Sequence, residues 1–280
     1  MNKKYIAIGA GLSLLLSGIS AAAVSRVPAT VMPSGRTVTI PENAVEVAPG
    51  VFSLGEAVDP ATGELVEGFA IVHYKKDFAR GGAAKPPKGG GTTCYGYLAS
   101  GAKWKIVEPW AMNTTNTQGL DSTTVFNIMA GGISKWEDAA DGSVGSGIGV
   151  DILGAGSITS SANAVALDEV NRVFFGSISN AGAIAVTYIW GTFGGPPQGR
   201  KLVEWDMVFD EVDFDWAIDG NLLDMDLDNI ATHELGHAVG LGDLYTSSCA
   251  QETMYGYASE GETQKRTLNV GDVAGVSSLY

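Results

Sequence analysis

The clearest periodicity in the chain lies between Val125 and Trp136, where Val125, Met129, Gly132, Ile133 and Trp136 recur three or four apart and share one face of a helix. Asp121 or Ser122 stands where the cap of that helix belongs. From Lys201 to Asp210 the period changes to two. Val203, Trp205, Met207 and Phe209 alternate with Glu204, Asp206, Val208 and Asp210, which predicts a strand with one buried face. Shorter β-type runs occur at Thr37 to Ile40, Phe69 to Tyr74, Lys103 to Val107, Gly149 to Leu153 and Ala183 to Trp190. A second helix is predicted from about Asp226 to Val239, and a third from about Gly271, with Val273, Val276 and Leu279 or Tyr280 on one face. Strands mixed with three helices imply an α/β layered domain.

The pattern also divides the chain. Lys3 and Lys4, the apolar run Tyr5 to Ile19 and the small residues Ala21 to Ala23 follow the order of a secretory signal, with cleavage expected after Ala23. Its dilution by Gly9, Gly11, Ser13, Ser17 and Gly18 argues against the alternative, an uncleaved anchor. No later stretch is apolar enough to span a bilayer, so a secreted protein with no stable membrane association is expected. Between Arg80 and Thr93 the sequence GGAAKPPKGGGTT has no apolar periodicity and reads as a linker. The expected organisation is a signal at 1–23, a propeptide or small accessory region at 24–79, a linker at 80–92 and the main domain at 93–280.

With 45% hydrophobic and 17% charged residues, the 280-residue chain is able to bury a sizeable core, which excludes a disordered class. Charge is unevenly placed. Residues 24–92 are balanced, whereas 93–280 carry eight Lys and Arg against twenty-four Asp and Glu. That argues against nucleic acid and anionic membrane as partners. The acidic stretch Asp210, Glu211, Asp213, Asp215 and Asp219 reads first as a solvated face, with Ca2+ binding as the alternative. Cys94 and Cys249 are the only cysteines, and in an exported chain their even number predicts a disulfide.

The chemistry concentrates in HELGHAVGLGD, residues 233–243. Four residues apart on a helix, His233 and His237 project from one face and their imidazoles can converge on one Zn2+ ion. Glu234, one residue round, is poorly placed as a ligand but well placed to act as general base on a water. A catalytic zinc usually has three protein ligands. Gly240 permits the left-handed turn that ends a helix, and Asp243, three residues on, can then reach back to the ion.

This run resembles the zinc motif HExxHxxGxxH/D of the metzincin metallopeptidases, with the matrixin-like branch closest. Glu252 to Gly256, with Met254 and Tyr255, resembles the methionine turn of that clan, and Gly271 to Tyr280 is similar to the terminal helix of matrixins. The resemblance spans about residues 100 to 280 and is sharp from 226. It implies a metzincin-like catalytic domain with a twisted mixed sheet, three main helices and a Met-turn. The implied activity is zinc-dependent endopeptidase, acting as a monomer on protein or peptide substrates. Three departures stand out. Asp243 replaces the usual third histidine, and Tyr255 follows Met254 directly, so it is expected to wall the substrate pocket and not to ligate metal. The propeptide motif PRCGxPD is absent, which leaves a thiolate switch at Cys94 as the alternative to its disulfide.

Two other functional readings remain open at this level. In a gluzincin-type peptidase a downstream residue such as Glu252 would replace Asp243, and in a binding module the zinc would be a structural clasp. His73, on a predicted strand outside the motif, is expected to be an ordinary structural residue. By analogy with the family, the strand Lys201 to Asp210 or its neighbour Ala183 to Trp190 is expected to offer an edge for an extended substrate.

Overall fold

The computed structural model describes residues 37–41, 44–78, 93–147, 149–160 and 163–280. The predicted signal and the whole of the linker lie outside these residues. In chain order the strands are β1 Thr37–Val38, β2 Val45–Ala48, β3 Val51–Val58, β4 Leu65–Lys75, β5 Lys103–Trp104, β6 Trp110–Asn113, β7 Gly156–Ile158 and β8 Asn171–Ile178. β9 Ala183–Thr192, β10 Lys201–Asp210, β11 Trp216–Ala217, β12 Met225–Asp226 and β13 Tyr257–Ala258 complete the set. The helices are α1 Ser122–Ala139, α2 Leu227–Ala238 and α3 Val270–Leu279. The fold is α/β: a mixed sheet ordered β2-β3-β4-β9-β10-β8-β6-β7, with three helices. β10 runs parallel to β8 and antiparallel to β9, and β4 adds on antiparallel beyond β9. The sheet is therefore continuous across the expected boundary at 80–92.

The helix periodicities translate directly into burial. α1 turns Val125, Met129, Gly132, Ile133 and Trp136 inward, and the Asp121 side chain caps it by accepting from the Thr124 amide at 2.8 Å. α1 crosses α2 closely because Gly132 has no side chain; a Cβ there would lie 2.6 Å from Leu235 Cδ1. The Trp136 indole N–H then bonds the Thr232 carbonyl at 2.8 Å. Asp226 caps α2 through the Asn229 amide at 2.9 Å, and Arg266 pairs with Asp226.

Three sequence expectations change. β10 covers Lys201 to Asp210 as predicted, yet it is buried on both faces. The polar face lies under the segment 166–169 and the neighbouring strand ends, whose amides its carboxylates accept. Ala166 and Arg172 donate to Asp206, Asp168 and Glu169 to Glu204, and Ile178, Val212 and Asp213 to Asp210. A second difference is at Gly149 to Leu153, which forms no strand: Ile152 and Leu153 are buried and their amides bond the Glu137 carboxylate. The run at Lys103 to Val107 yields only the two-residue β5.

Cys94 and Cys249 form a disulfide, and no free cysteine remains among the described residues. The bridge pins the segment that pairs with the loop after α2, where Leu98 donates to the Gly240 carbonyl and Gly242 to that of Gly96. A cross-link between residues 155 apart restricts the unfolded chain strongly. Replacing both cysteines by serine should cost about 2–4 kcal/mol, read as a lowered urea midpoint. An unchanged midpoint would show that the bridge restrains nothing.

Candidate metal centre

α2 ends where the sequence places Gly240. That residue adopts φ +104°, a conformation in which a side chain is strained, and a Cβ would also meet the Ala102 carbonyl at 2.9 Å. The turn has two products. The Leu241 carbonyl comes within 2.9 Å of His237 Nδ1, and Asp243 returns toward the helix so that its Oδ1 lies 3.2 Å from His233 Nε2 and 3.5 Å from His237 Nε2.

Both histidines are oriented by backbone carbonyls. A carbonyl only accepts, so His233 Nδ1 donates to Thr253 O at 2.6 Å and His237 Nδ1 to Leu241 O. Burial lowers the His237 pKa to about 4, against the pull of the Asp243 charge, so its ring is neutral with its lone pair on Nε2. Burial by itself would raise Asp243, but the His237 and His233 rings and the Tyr245 hydroxyl hold it below the ordinary carboxylate value. Tyr245 lies 3.0 Å from Asp243 Oδ2, which leaves Oδ1 to face the imidazoles. His233 Nε2, His237 Nε2 and Asp243 Oδ1 are all buried without a hydrogen-bond partner. Three converging unpaired atoms of these types are a donor set suited to Zn2+.

Glu234 lies beside this set and is fully buried. Its Oε2 accepts from the Thr187 hydroxyl on β9 at 2.6 Å, and its Oε1 lies 3.1 Å from His73 Nδ1 on β4. Burial pushes its pKa up to about 7, with the His233 ring and the Thr187 hydroxyl acting the other way. His73 was expected to be a structural residue remote from this chemistry, and the structure corrects that. It is buried, and its ring centroid is 4.0 Å from that of His233. Only the addition of β4 to β9 brings it there, a long-range pairing that no local motif announces.

The turn at Met254 sits under α2 and supplies the Thr253 carbonyl. Gly236 makes room for it, because a Cβ at that position would lie 2.1 Å from Met254 Sδ and 2.8 Å from Trp136 Cζ2. Asp272, on α3, holds the turn from the other side by accepting the Thr253 and Met254 amides. Sequence reasoning missed Asp272 and Tyr245. The capping position of Asp272 was the only available signal for the first, and nothing flagged the second. Tyr255 packs edge-on against Tyr257 at 5.7 Å. Glu252 is turned away from the histidines and accepts the Gly271 and Asp272 amides at the start of α3. Asp210 and Glu211 of the acidic stretch spend oxygens on amides of the fold. Among the described residues no three groups of that stretch converge as a metal site would require.

Known proteins resemble the C-terminal part of the chain. Residues 196–280 match the family model described as Matrixin. Matrix metalloproteinase-19 of Homo sapiens is 37% identical over 100 residues, which is 34% of this chain and 18% of that protein. Metalloendoproteinase 4-MMP of Arabidopsis thaliana is 37% identical over 89 residues, covering 30% of this chain and 23% of the relative. Metalloendoproteinase 1-MMP of the same plant is 41% identical over 71 residues, 23% and 18% respectively. The matched stretches thus span about a fifth of the length of these relatives. Over its C-terminal portion, residues 196–280, the chain is thus similar to the matrixins.

Proposed function

We propose that the protein is a secreted zinc-dependent endopeptidase in which His233, His237 and Asp243 hold the metal and Glu234 is the general base. The observation that carries this reading is the convergence of three buried, unpartnered donor atoms next to a buried carboxylate. Zinc bound there would supply Lewis acidity and bring the pKa of a bound water from 15.7 to about 7. Glu234 takes the proton of the attacking water and delivers it to the leaving amine, so that one carboxylate serves both steps. Thr187 fixes the carboxylate by one oxygen, and the other, Oε1, lies against His73 Nδ1 in the folded chain. The Thr253 carbonyl orients the His233 ring, Met254 packs under the helix at Gly236, and Tyr255 is assigned to the wall of the substrate pocket.

The gluzincin alternative loses its third ligand, because Glu252 caps α3. A thiolate switch has no thiol once Cys94 is bridged. The disulfide also favours export to an oxidising compartment, and among the described residues no helix is long and apolar enough to cross a membrane. A substrate of peptide type, no nucleic acid and a monomeric state complete the proposal.

Glu234→Gln should keep one zinc per chain and lose at least ~10² in turnover of a peptide substrate. Near-normal turnover would remove Glu234 from its role. The ligand set is tested by metal content after dialysis against dilute chelator. Asp243→Ala should lose zinc and activity together, whereas Glu252→Gln should retain its zinc. The opposite pattern would move the third ligand to Glu252.

A further inference from the structure

Both strands expected to offer an edge to substrate are already paired. β10 is flanked by β8 and β9, and the outer edge of β9 carries β4. β4 runs antiparallel to β9 from the pair Glu67 and Gly191 to the pair Tyr74 and Ala183. Its far end runs parallel to β13, with Tyr74 opposite Tyr257 and Lys75 opposite Ala258. β4 therefore fills the slot between the edge of β9 and the segment that follows the Met254 turn.

That slot passes directly over Glu234. Thr187, which bonds the carboxylate, is opposite Ile71 of β4, and His73, opposite Ala185, turns inward to the other carboxylate oxygen. The His73 imidazole lies against both Glu234 and the His233 ring, in the space a water and a scissile carbonyl would need. As folded, the donor set and the base are sealed: His233, His237 and Glu234 have no exposure to solvent.

Contacts along the whole N-terminal segment keep the strand in place. Ile71 and Val72 are buried, and Gly68 passes so close to Trp190 that a Cβ would lie 2.7 Å from the indole Nε1. The turn between β2 and β3 reaches the ligand loop, where the Tyr245 hydroxyl lies 3.0 Å from the Pro49 carbonyl. Lys75 pairs with Glu260 at 2.5 Å at the end of the slot.

We propose that β4 is a resident occupant of the peptide groove and that His73, by holding Glu234, keeps the site latent until the strand leaves β9. The latch acts on the base and not on the metal, and it needs no thiol. It rests on the peptidase reading given above. Two predictions separate it from a permanent structural role for β4. If activity requires the strand to open, any change that weakens β4 docking raises amide exchange at the β9 edge and peptide cleavage by the same factor, because both report one opening equilibrium. If His73 instead positions Glu234 for catalysis, its loss raises exchange and lowers cleavage.

The test compares the unchanged full chain with His73→Ala and Gly68→Val. The first removes the bond to Glu234, and the second drives a side chain into Trp190 and Leu54. Hydrogen exchange of the amides at 183–191 is measured with and without added zinc, and cleavage of a quenched-fluorescence peptide mixture is measured with zinc. Both variants should gain roughly tenfold or more in exchange and in cleavage, the scale of one lost hydrogen bond to a charged group. Raised exchange with unchanged or lower cleavage, in a parent that already cleaves the mixture, would overturn the latch. Raised exchange with no cleavage in any zinc-bound form would instead overturn the peptidase reading on which it rests.

Discussion

Everything around the centre depends on keeping three lone pairs buried, unpaired and aimed at one point. Each buried polar atom left without a partner costs about 1–3 kcal/mol, so a fold keeps three of them together only where the surroundings over-determine their orientation. Here they do. Each imidazole is held through Nδ1 by a carbonyl, one from the turn at Thr253 and one from Leu241 just past the helix end. The Asp243 carboxylate is held by the Tyr245 hydroxyl. Those carbonyls are in turn fixed by Asp272 and by the φ +104° turn at Gly240. The glycine that ends α2 and the glycine that admits Met254 are two sides of one requirement, that the backbone come close to the candidate metal site from below.

The sheet supplies the other wall. β9 brings Thr187 to Glu234 and would present its free edge to an extended chain, but β4 takes that edge and carries His73 onto the base. The N-terminal segment is thus joined to the candidate site by main-chain pairing and by two side-chain links, His73 to Glu234 and Tyr245 to Pro49. In the proposed peptidase, a groove filled by its own strand would give control over timing at the cost of having to break that pairing.

What was legible in the sequence follows from what is local. α1, α2 and α3 were recoverable from spacing and caps, and the convergence of His233, His237 and Asp243 from eleven consecutive residues, because helix geometry brings the two histidines to one face and the turn at Gly240 returns the aspartate. β10 was recoverable as a strand, but its second buried face was not. Glu204, Asp206 and Asp210 read as solvent-facing because nothing in the sequence shows that amides of 166, 168, 169, 172 and 178 will close over them. His73 was misread for the same reason: its meaning lies in a pairing between β4 and a strand more than a hundred residues away. Asp272 and Tyr245 act only through the turn and the ligand they hold, and such roles leave no local pattern.

The central claim is that His233, His237 and Asp243 form one metal site. It is tested most directly by anomalous diffraction at the zinc edge from crystals of the full chain grown with one equivalent of Zn2+. The account predicts a single dominant peak about 2.0–2.2 Å from His233 Nε2, His237 Nε2 and an Asp243 oxygen. A dominant peak elsewhere, with the two histidines hydrogen-bonded to protein groups through Nε2, would contradict it.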